Sequence, residues 1–381
     1  MQIFKINSNS DFNKLCSKIK PHKVGKSIMS KKTELNFFYI KDIKSAAANI
    51  LKQDALRVGA ELVANERVIL PYDELSDALL IATEEQISKL ILKEKKQDFG
   101  LKDLALFLQK DFKKPKEAKI MGVLNLNTDS FNSESRVSKK NFEARLVSML
   151  DDGADYVDIG AASSRPGSFY CGKEEEFKRL KFALDLIYKQ NYYKQAIFSL
   201  DSFDEYCLEY ALNKGFSIIN DIQGLKNHNL AILAKKYQAK YCLMHMQNEP
   251  HNMQDEPRYD FILSDIETFF KEKLEILDSF GVKDVILDLG IGFGKSAEHN
   301  LLLITHLEHF LQFQKPLLVG ASRKSLINAY YKSEVDERLP GSLFLHLKAF
   351  ENGASILRTH DVKEHKQMFA ISKAMQELSI K

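Results

Sequence analysis

Two features of the chain predict a (β/α)8 TIM barrel at residues 119–381, preceded by a small α+β domain at residues 1–115. The first is a series of eight short apolar runs, each followed by a helix-length segment, beginning near Ile120, Tyr156, Ala196, Ser217, Lys240, Val285, Pro316 and Ser355. Eight strand–helix units in about 260 residues match the count and size of such a barrel. The second is a break in texture at residues 111–118, a charged stretch that holds a proline and few apolar side chains. The length of 381 residues agrees, because one barrel leaves about 120 residues to be explained. A doubly wound open sheet is the structural alternative, but no GxGxxG follows the first strand to favour it.

Each element follows from its local pattern. Ahead of the break, residues 35–40 read as a strand. Residues 41–57 read as an amphipathic helix with Ile43, Ala47, Ile50, Leu51 and Ala55 on one side. Residues 67–70 and 78–82 read as further strands. Thr83 with Gln86 three positions on reads as a capping box that opens a helix. After the break, Phe142, Leu146, Met149 and Leu150 recur at helical spacing and Gly153 closes that helix. A second helix, residues 203–214, is closed by Gly215.

Composition excludes several classes. With 55 Lys+Arg against 52 Asp+Glu the formal net charge is +3, which gives no case for a nucleic-acid partner. No run approaches the roughly 18 apolar residues of a membrane span, so no membrane partner is expected. The first residues are too polar for a signal-peptide core. Cys16, Cys171, Cys207 and Cys242 are scattered and form no CxxC pair. A cytoplasmic protein with free thiols is the expectation.

Functional side chains of a barrel emerge where its strands end. Here almost every apolar run stops at a polar or charged group: Asn125, the 163–167 stretch with Ser164 and Arg165, Asp201, Asn220, Met244-His245, Asp288, Ser322-Arg323-Lys324-Ser325, and Arg358-Thr359-His360. So many convergent polar groups favour a polar ligand over packing. Asp201, Asp288 and Asn220 suit a flat heterocycle with several N–H donors, and Lys324 can supply the complementary donor. Met244 and Phe293 offer apolar faces. Arg165, Arg358 and His360 suit phosphate. Asn125 is a hard oxygen ligand for a phosphate-bound Mg²⁺. A general acid–base pair of Asp201 and Asp288 ranks lower, since neither sits in a recognisable motif. The glycines at 290, 292 and 294 read as a tight turn at the rim, and His245 and His299 as structural.

At these residues the chain resembles the dihydropteroate synthases. The blocks are Asn125 with Asp129-Ser130-Phe131, residues 163–167, 219–221, 243–246 and 290–295, Ser322-Arg323-Lys324-Ser325, and residues 357–361, in the family's order. The resemblance implies a transferase of folate biosynthesis and a sulfonamide target. It would join 6-hydroxymethyl-7,8-dihydropterin diphosphate to p-aminobenzoate, releasing pyrophosphate. It implies pterin contacts at Asp201, Asn220, Asp288 and Lys324, lined by Met244 and Phe293. It places the diphosphate at Arg358, His360 and Asn125, with Mg²⁺ at Asn125. Arg323, Lys324 and Ser325 fall near p-aminobenzoate, with Ser164 and Arg165 in the second of two closing loops, about residues 127–137 and 162–172. Arg165, Lys324, Arg358 and His360 would bear most on catalysis. The family is commonly dimeric, so a homodimer is expected.

The second loop departs from the family's pattern at Ala162, and the first at Asn127-Thr128. A corrinoid methyltransferase that uses methyltetrahydrofolate shares the barrel and pterin carboxylates, yet needs neither the Ser322–Ser325 block nor the phosphate grip. A non-catalytic pterin binder is the other alternative. Residues 46–53 and 99–101 resemble the N-terminal part of longer synthases; no second catalytic motif is evident there, and an accessory, stabilising role is expected.

Overall fold

The structure, a computed structural model, describes residues 1–8, 10–70, 75–126, 141–162 and 167–378. The chain parts into two compact units, Met1–Asp111 with Lys373–Lys381, and Phe112–Ser372. Of the described residues expected with the barrel, 373–378 group with the first unit.

The first unit holds a three-stranded antiparallel sheet, with β1 (Leu35–Lys44) and β2 (Glu61–Ala64) on either side of β3 (Leu75–Thr83). β1 runs four residues past the expected end. A bulge between Ile40 and Ile43, with Asp42 at φ 57°, lets it turn and keep pairing. The helix therefore starts at Ser45 and ends at Val58, where Gly59 caps it at φ 80°. The expected strand at residues 67–70 is instead a 3₁₀ turn, Glu66–Ile69. The Asn65 side chain accepts the Arg67 N–H at 2.9 Å and bends the chain there. The strand falls at Glu61–Ala64 instead. The Thr83–Gln86 capping box is present.

The second unit is a closed eight-stranded parallel barrel. Its strands are β4 (Lys119–Asn125), β5 (Tyr156–Gly160), β6 (Ile197–Asp201), β7 (Ile218–Asp221), β8 (Lys240–Met244), β9 (Val285–Asp288), β10 (Leu317–Val319) and β11 (Ile356–Thr359). All eight begin within one residue of the expected positions. Leu318 pairs with Asp288 on one side and Ile356 on the other, while Ile356 also pairs with Lys119 in β4, so the ring has no free edge.

Side chains alternate in and out along each strand. Met121, Tyr156, Ile197, Ile218, Cys242, Ile286, Leu318 and Ile356, one from each strand, pack together as an apolar floor inside the ring. Two residues further on, the inward positions are Val123, Asp158, Ser199, Asn220, Met244, Asp288, Gly320 and Arg358. The interior thus changes from oil to polar groups within one pleat. The larger core lies outside the ring, where Leu124, Val157, Leu200, Leu243 and Leu287 meet the surrounding helices.

Candidate functional site

The site is the polar layer above the floor together with the groups at the strand ends. Arg358 sits across it. Its Nε donates to Asp158 Oδ2 at 2.7 Å and its Nη2 to Asp201 Oδ2 at 2.6 Å. Asn220 Nδ2 also donates to Asp158 Oδ2, at 3.1 Å. The remaining atoms Asp158 Oδ1, Ser199 Oγ and Asn220 Oδ1 are buried with no hydrogen-bond partner. Buried polar atoms are normally satisfied, so three together leave hydrogen-bonding capacity for a ligand or water inside the ring.

Glycines shape this layer at two points. A Cβ on Gly160 would lie 3.4 Å from both Asn125 Oδ1 and Asp201 Cβ, so its bare backbone lets these two side chains share the mouth of β4–β6. Gly290 has φ 65°, and its N–H donates to Asp288 Oδ1 at 2.8 Å. A Cβ there would meet the His245 carbonyl oxygen at 1.9 Å. The expected tight turn at 290–294 is present, with all three glycines at positive φ. It wraps Lys295, whose buried ammonium contacts the carbonyls of Gly290, Phe293 and His245 and lies 2.9 Å from His245 Nδ1. His245 is thus structural, and His299 completes a helix-capping pair with Ser296.

Lys324 lies with its ammonium 4.5 Å from the Phe293 ring centre and donates to the Ile291 carbonyl. Met244 and Phe293 join Ile222 and Met253 in one apolar wall. A cavity of about 400 Å³ opens beside Asp201, lined by Tyr170, Phe203, Ile222, Glu249 and His251 among others. Asp288 and Lys324 do not border it.

Burial dominates the electrostatics. It pushes the Asp201 carboxyl up, against the pull of Arg358, and Asp158 adds to the rise. It also pushes Asp288 up, against the Gly290 N–H and the Lys324 charge. Burial brings Lys324 down to about 7 although Asp288 opposes it. Burial works against the charge of Arg358, but Asp158 and Asp201 outweigh it and hold the guanidinium firmly protonated.

The structure brings together Asp201, Asn220 and Arg358, joins Met244 to Phe293, and sets Lys324 against Phe293. Arg323 lies on Asp361 in a bidentate pair at 3.0 and 2.7 Å and reaches the Asp336 carbonyl at 3.1 Å. Its planar fork braces a loop beside the seventh strand end. His360 engages Ser322 Oγ through Nδ1 at 3.1 Å. Ser325 is exposed at the start of the helix Ser325–Tyr330. Ser164 and Arg165, and the first expected loop, fall outside the described residues. Sequence reasoning missed Asp158 and Ser199; counting back in twos from Gly160 and Asp201 identifies both.

Among the described residues no group of three or more His, Cys, Asp or Glu could hold a metal. Asn125 offers one neutral oxygen. That donor set fits a Mg²⁺ that arrives on a diphosphate and keeps most of its water, not a resident ion in a protein cage.

The barrel displays its polar groups at the strand ends, as enzymes of this fold do, and similarity to known proteins agrees. The family described as pterin binding enzyme matches residues 121–360. The bifunctional dihydropteroate synthase/dihydropteroate reductase of Helicobacter pylori is 42% identical over 362 residues, covering 94% of this chain and 95% of that one. The dihydropteroate synthase of Haemophilus influenzae is 36% identical over 67% of this chain and 93% of its own. The solved dihydropteroate synthase of Thermus thermophilus in complex with 4-aminobenzoate is 32% identical, with a TM-score of 0.61 over 70% of this chain and 96% of that one. The chain belongs to the pterin binding enzymes and, within them, to the dihydropteroate synthases. It is a transferase of folate biosynthesis.

Proposed function

We propose that the polar layer of the barrel holds the pterin of 6-hydroxymethyl-7,8-dihydropterin diphosphate. Asp158, Asp201, Asn220 and Asp288 accept from its ring N–H groups, and Lys324 donates to its carbonyl or ring nitrogen. The observation that carries this reading is the three partnerless buried atoms of Asp158, Ser199 and Asn220, directly above an apolar floor. A ring lying there meets Met244 and Phe293 on its faces.

The diphosphate leaves from a methylene on an electron-rich ring, and the ring delocalises the positive charge left on that carbon. The protein's work is to stabilise departing negative charge and keep water out. Arg358 and His360, with Arg165 from the second loop, serve the leaving group. Arg358 uses two of its nitrogens on carboxylates, so Nη1 is the edge it offers. Asn125 would hold Mg²⁺, which supplies further charge neutralisation to the pyrophosphate when bound. The amine of p-aminobenzoate is neutral at neutral pH and attacks without a strong base. Lys324 and Ser325 at the seventh strand end receive that substrate. Four free cysteines, and no described helix long and apolar enough to cross a membrane, are consistent with a cytoplasmic site of action. The family resemblance supports a homodimer, which sedimentation would test. Pyrophosphate release by the full chain should require both substrates and fall when Mg²⁺ is chelated. Release without p-aminobenzoate, or none with both present, would sink the reading.

One observation favours a second activity. The H. pylori relative, named for both synthase and reductase, is matched over 94% of this chain, so about 6% lies outside the match and most of the first unit lies within it. The H. influenzae relative, named for the synthase alone, is matched over only 67% of this chain. Reduction of dihydropteroate is therefore part of the proposal, to be assayed with a reduced nicotinamide nucleotide as the hydride donor. Nucleotide oxidation that starts only on adding dihydropteroate would support it, and no oxidation with either nucleotide would remove it.

A further inference from the structure

Two histidines outside the site form a hydrogen-bonded wire between the loops that follow β10 and β11. The Ala321 N–H donates to His346 Nε2 at 2.8 Å. His346 Nδ1 lies 2.7 Å from His365 Nε2, and His365 Nδ1 lies 2.6 Å from the Asp361 carbonyl oxygen. Both rings are fully buried.

The two ends fix every proton between them. A backbone N–H can only donate, so His346 Nε2 is bare and its proton is on Nδ1. That proton points at His365 Nε2, which must also be bare. The His365 proton is then on Nδ1, where a carbonyl awaits it. Both rings are neutral and both are Nδ1–H tautomers. An added proton on either ring sets two N–H groups facing each other, so the wire cannot carry a charge and stay intact. Around His346 stand His365, Lys324 and His360; around His365 stand Asp361 and Glu364. Burial holds both rings below the ordinary imidazole value, with the neighbouring positive groups adding to the shift at His346.

The wire holds a loop that would not keep its shape alone. Arg323 is in the left-handed region at φ 53°, which a non-glycine residue adopts only when its surroundings impose it. Its N–H donates to Ser342 Oγ at 2.8 Å, and its guanidinium grips the Asp361 carboxylate. Ser342 and His346 are four apart on the helix Leu339–Glu351, so one helix face seizes the N–H groups of Ala321 and Arg323 together. His365, on the helix Val362–Glu377, ties the same face to Asp361.

We propose that His346 and His365 are positioning residues, a neutral imidazole pair that sets the 321–325 loop to receive the arylamine and releases it when protonated. This rests on the reading that Lys324 and Ser325 receive p-aminobenzoate. In the full-length protein, His346→Leu should raise KM for p-aminobenzoate roughly 10- to 100-fold, leaving KM for the pterin diphosphate within about twofold. His346→Gln, whose amide can both accept and donate, should restore most of the loss. In the wild-type protein, nitrogen NMR of the two imidazoles should show two Nδ1–H tautomers that do not titrate from about pH 8 down to about pH 6. An Nε2–H tautomer, ordinary titration, or equal rises in both KM values would overturn the proposal, and the NMR needs no substitution to fold. Ser325→Ala separates the two levels. If it raises KM for p-aminobenzoate while His346→Leu does not, the relay fails alone. If neither variant moves that KM, the arylamine reading fails and the relay with it.

Discussion

Arg358→Ala probes the charge balance at the centre of the barrel. Arg358 joins Asp158, fully buried, and Asp201, 12% exposed, through bonds of 2.7 and 2.6 Å. Removing the guanidinium leaves two carboxyl groups facing the same gap without a counter-charge. Breaking a buried pair in this way costs about 3–5 kcal/mol. For a unit of this size, that is a fall in Tm of roughly 6–20 °C. The loss should depend on pH with a definite sign. Burial, with the charge of Asp158 adding to it, raises the Asp201 carboxyl above its unfolded value of 3.8. The unfolded chain then releases that proton first, so the variant loses stability as pH climbs past that value. Thermal melts by circular dichroism at about pH 5 and about pH 8 measure both effects. Arg358→Met combined with Asp158→Asn and Asp201→Asn should recover most of the stability while leaving pterin binding lost. A Tm for Arg358→Ala within about 2 °C of the parent at both pH values would refute the account of a buried, mutually dependent triad.

Asp288→Asn turns an acceptor into a mixed group and should weaken pterin binding about tenfold or more; calorimetry showing equal affinity would count against the assignment. Gly290→Ala brings a Cβ to 1.9 Å from the His245 carbonyl at φ 65° and should cost at least about 3 kcal/mol in a denaturant melt. Glu94 is buried with both oxygens unpartnered, and burial, with Asp54 nearby, lifts it to about 7. Its raised value means stability is lost between the unfolded value of 4.5 and about 7, so Glu94→Gln should stabilise by about 3 kcal/mol at pH 8 and hardly at all at pH 4. His346 and His365 are depressed below 6.5 in the fold, so the unfolded chain takes up protons first as pH falls past that value. Stability should decline on that side, and less steeply in His365→Asn, as melts at several pH values would show.

The barrel was legible because each strand is a fully buried apolar run bounded by turn residues, and its strand ends are where ligand groups are displayed. Asp201, Asn220 and Asp288 stood out for that reason. Asp158 and Ser199 did not, because each lies inside an apolar run and only the two-residue pleat relates it to the interior. The pairing of Arg323 with Asp361, 38 residues away, was not legible, because a cationic fork beside a site fits phosphate, substrate or a neighbouring carboxylate equally well. The 3₁₀ turn at Glu66–Ile69 has the apolar content of a strand, and the Asn65 side chain decided the outcome. His346 and His365 carry no motif at all. Their meaning lies in two helices brought side by side.

The apolar floor has a consequence for what this scaffold can come to accept. It is one side chain thick and is assembled from all eight strands, so it acts as a depth stop for anything entering the ring. Changes in the loops alter which molecule arrives and how it is enclosed, yet they leave the insertion depth untouched. Cys242 is the small member of that floor, directly below Met244 on β8. Replacing it with a bulkier residue would lift a bound heterocycle towards the mouth. A substrate specificity set by depth would then shift without any residue of the polar layer having changed.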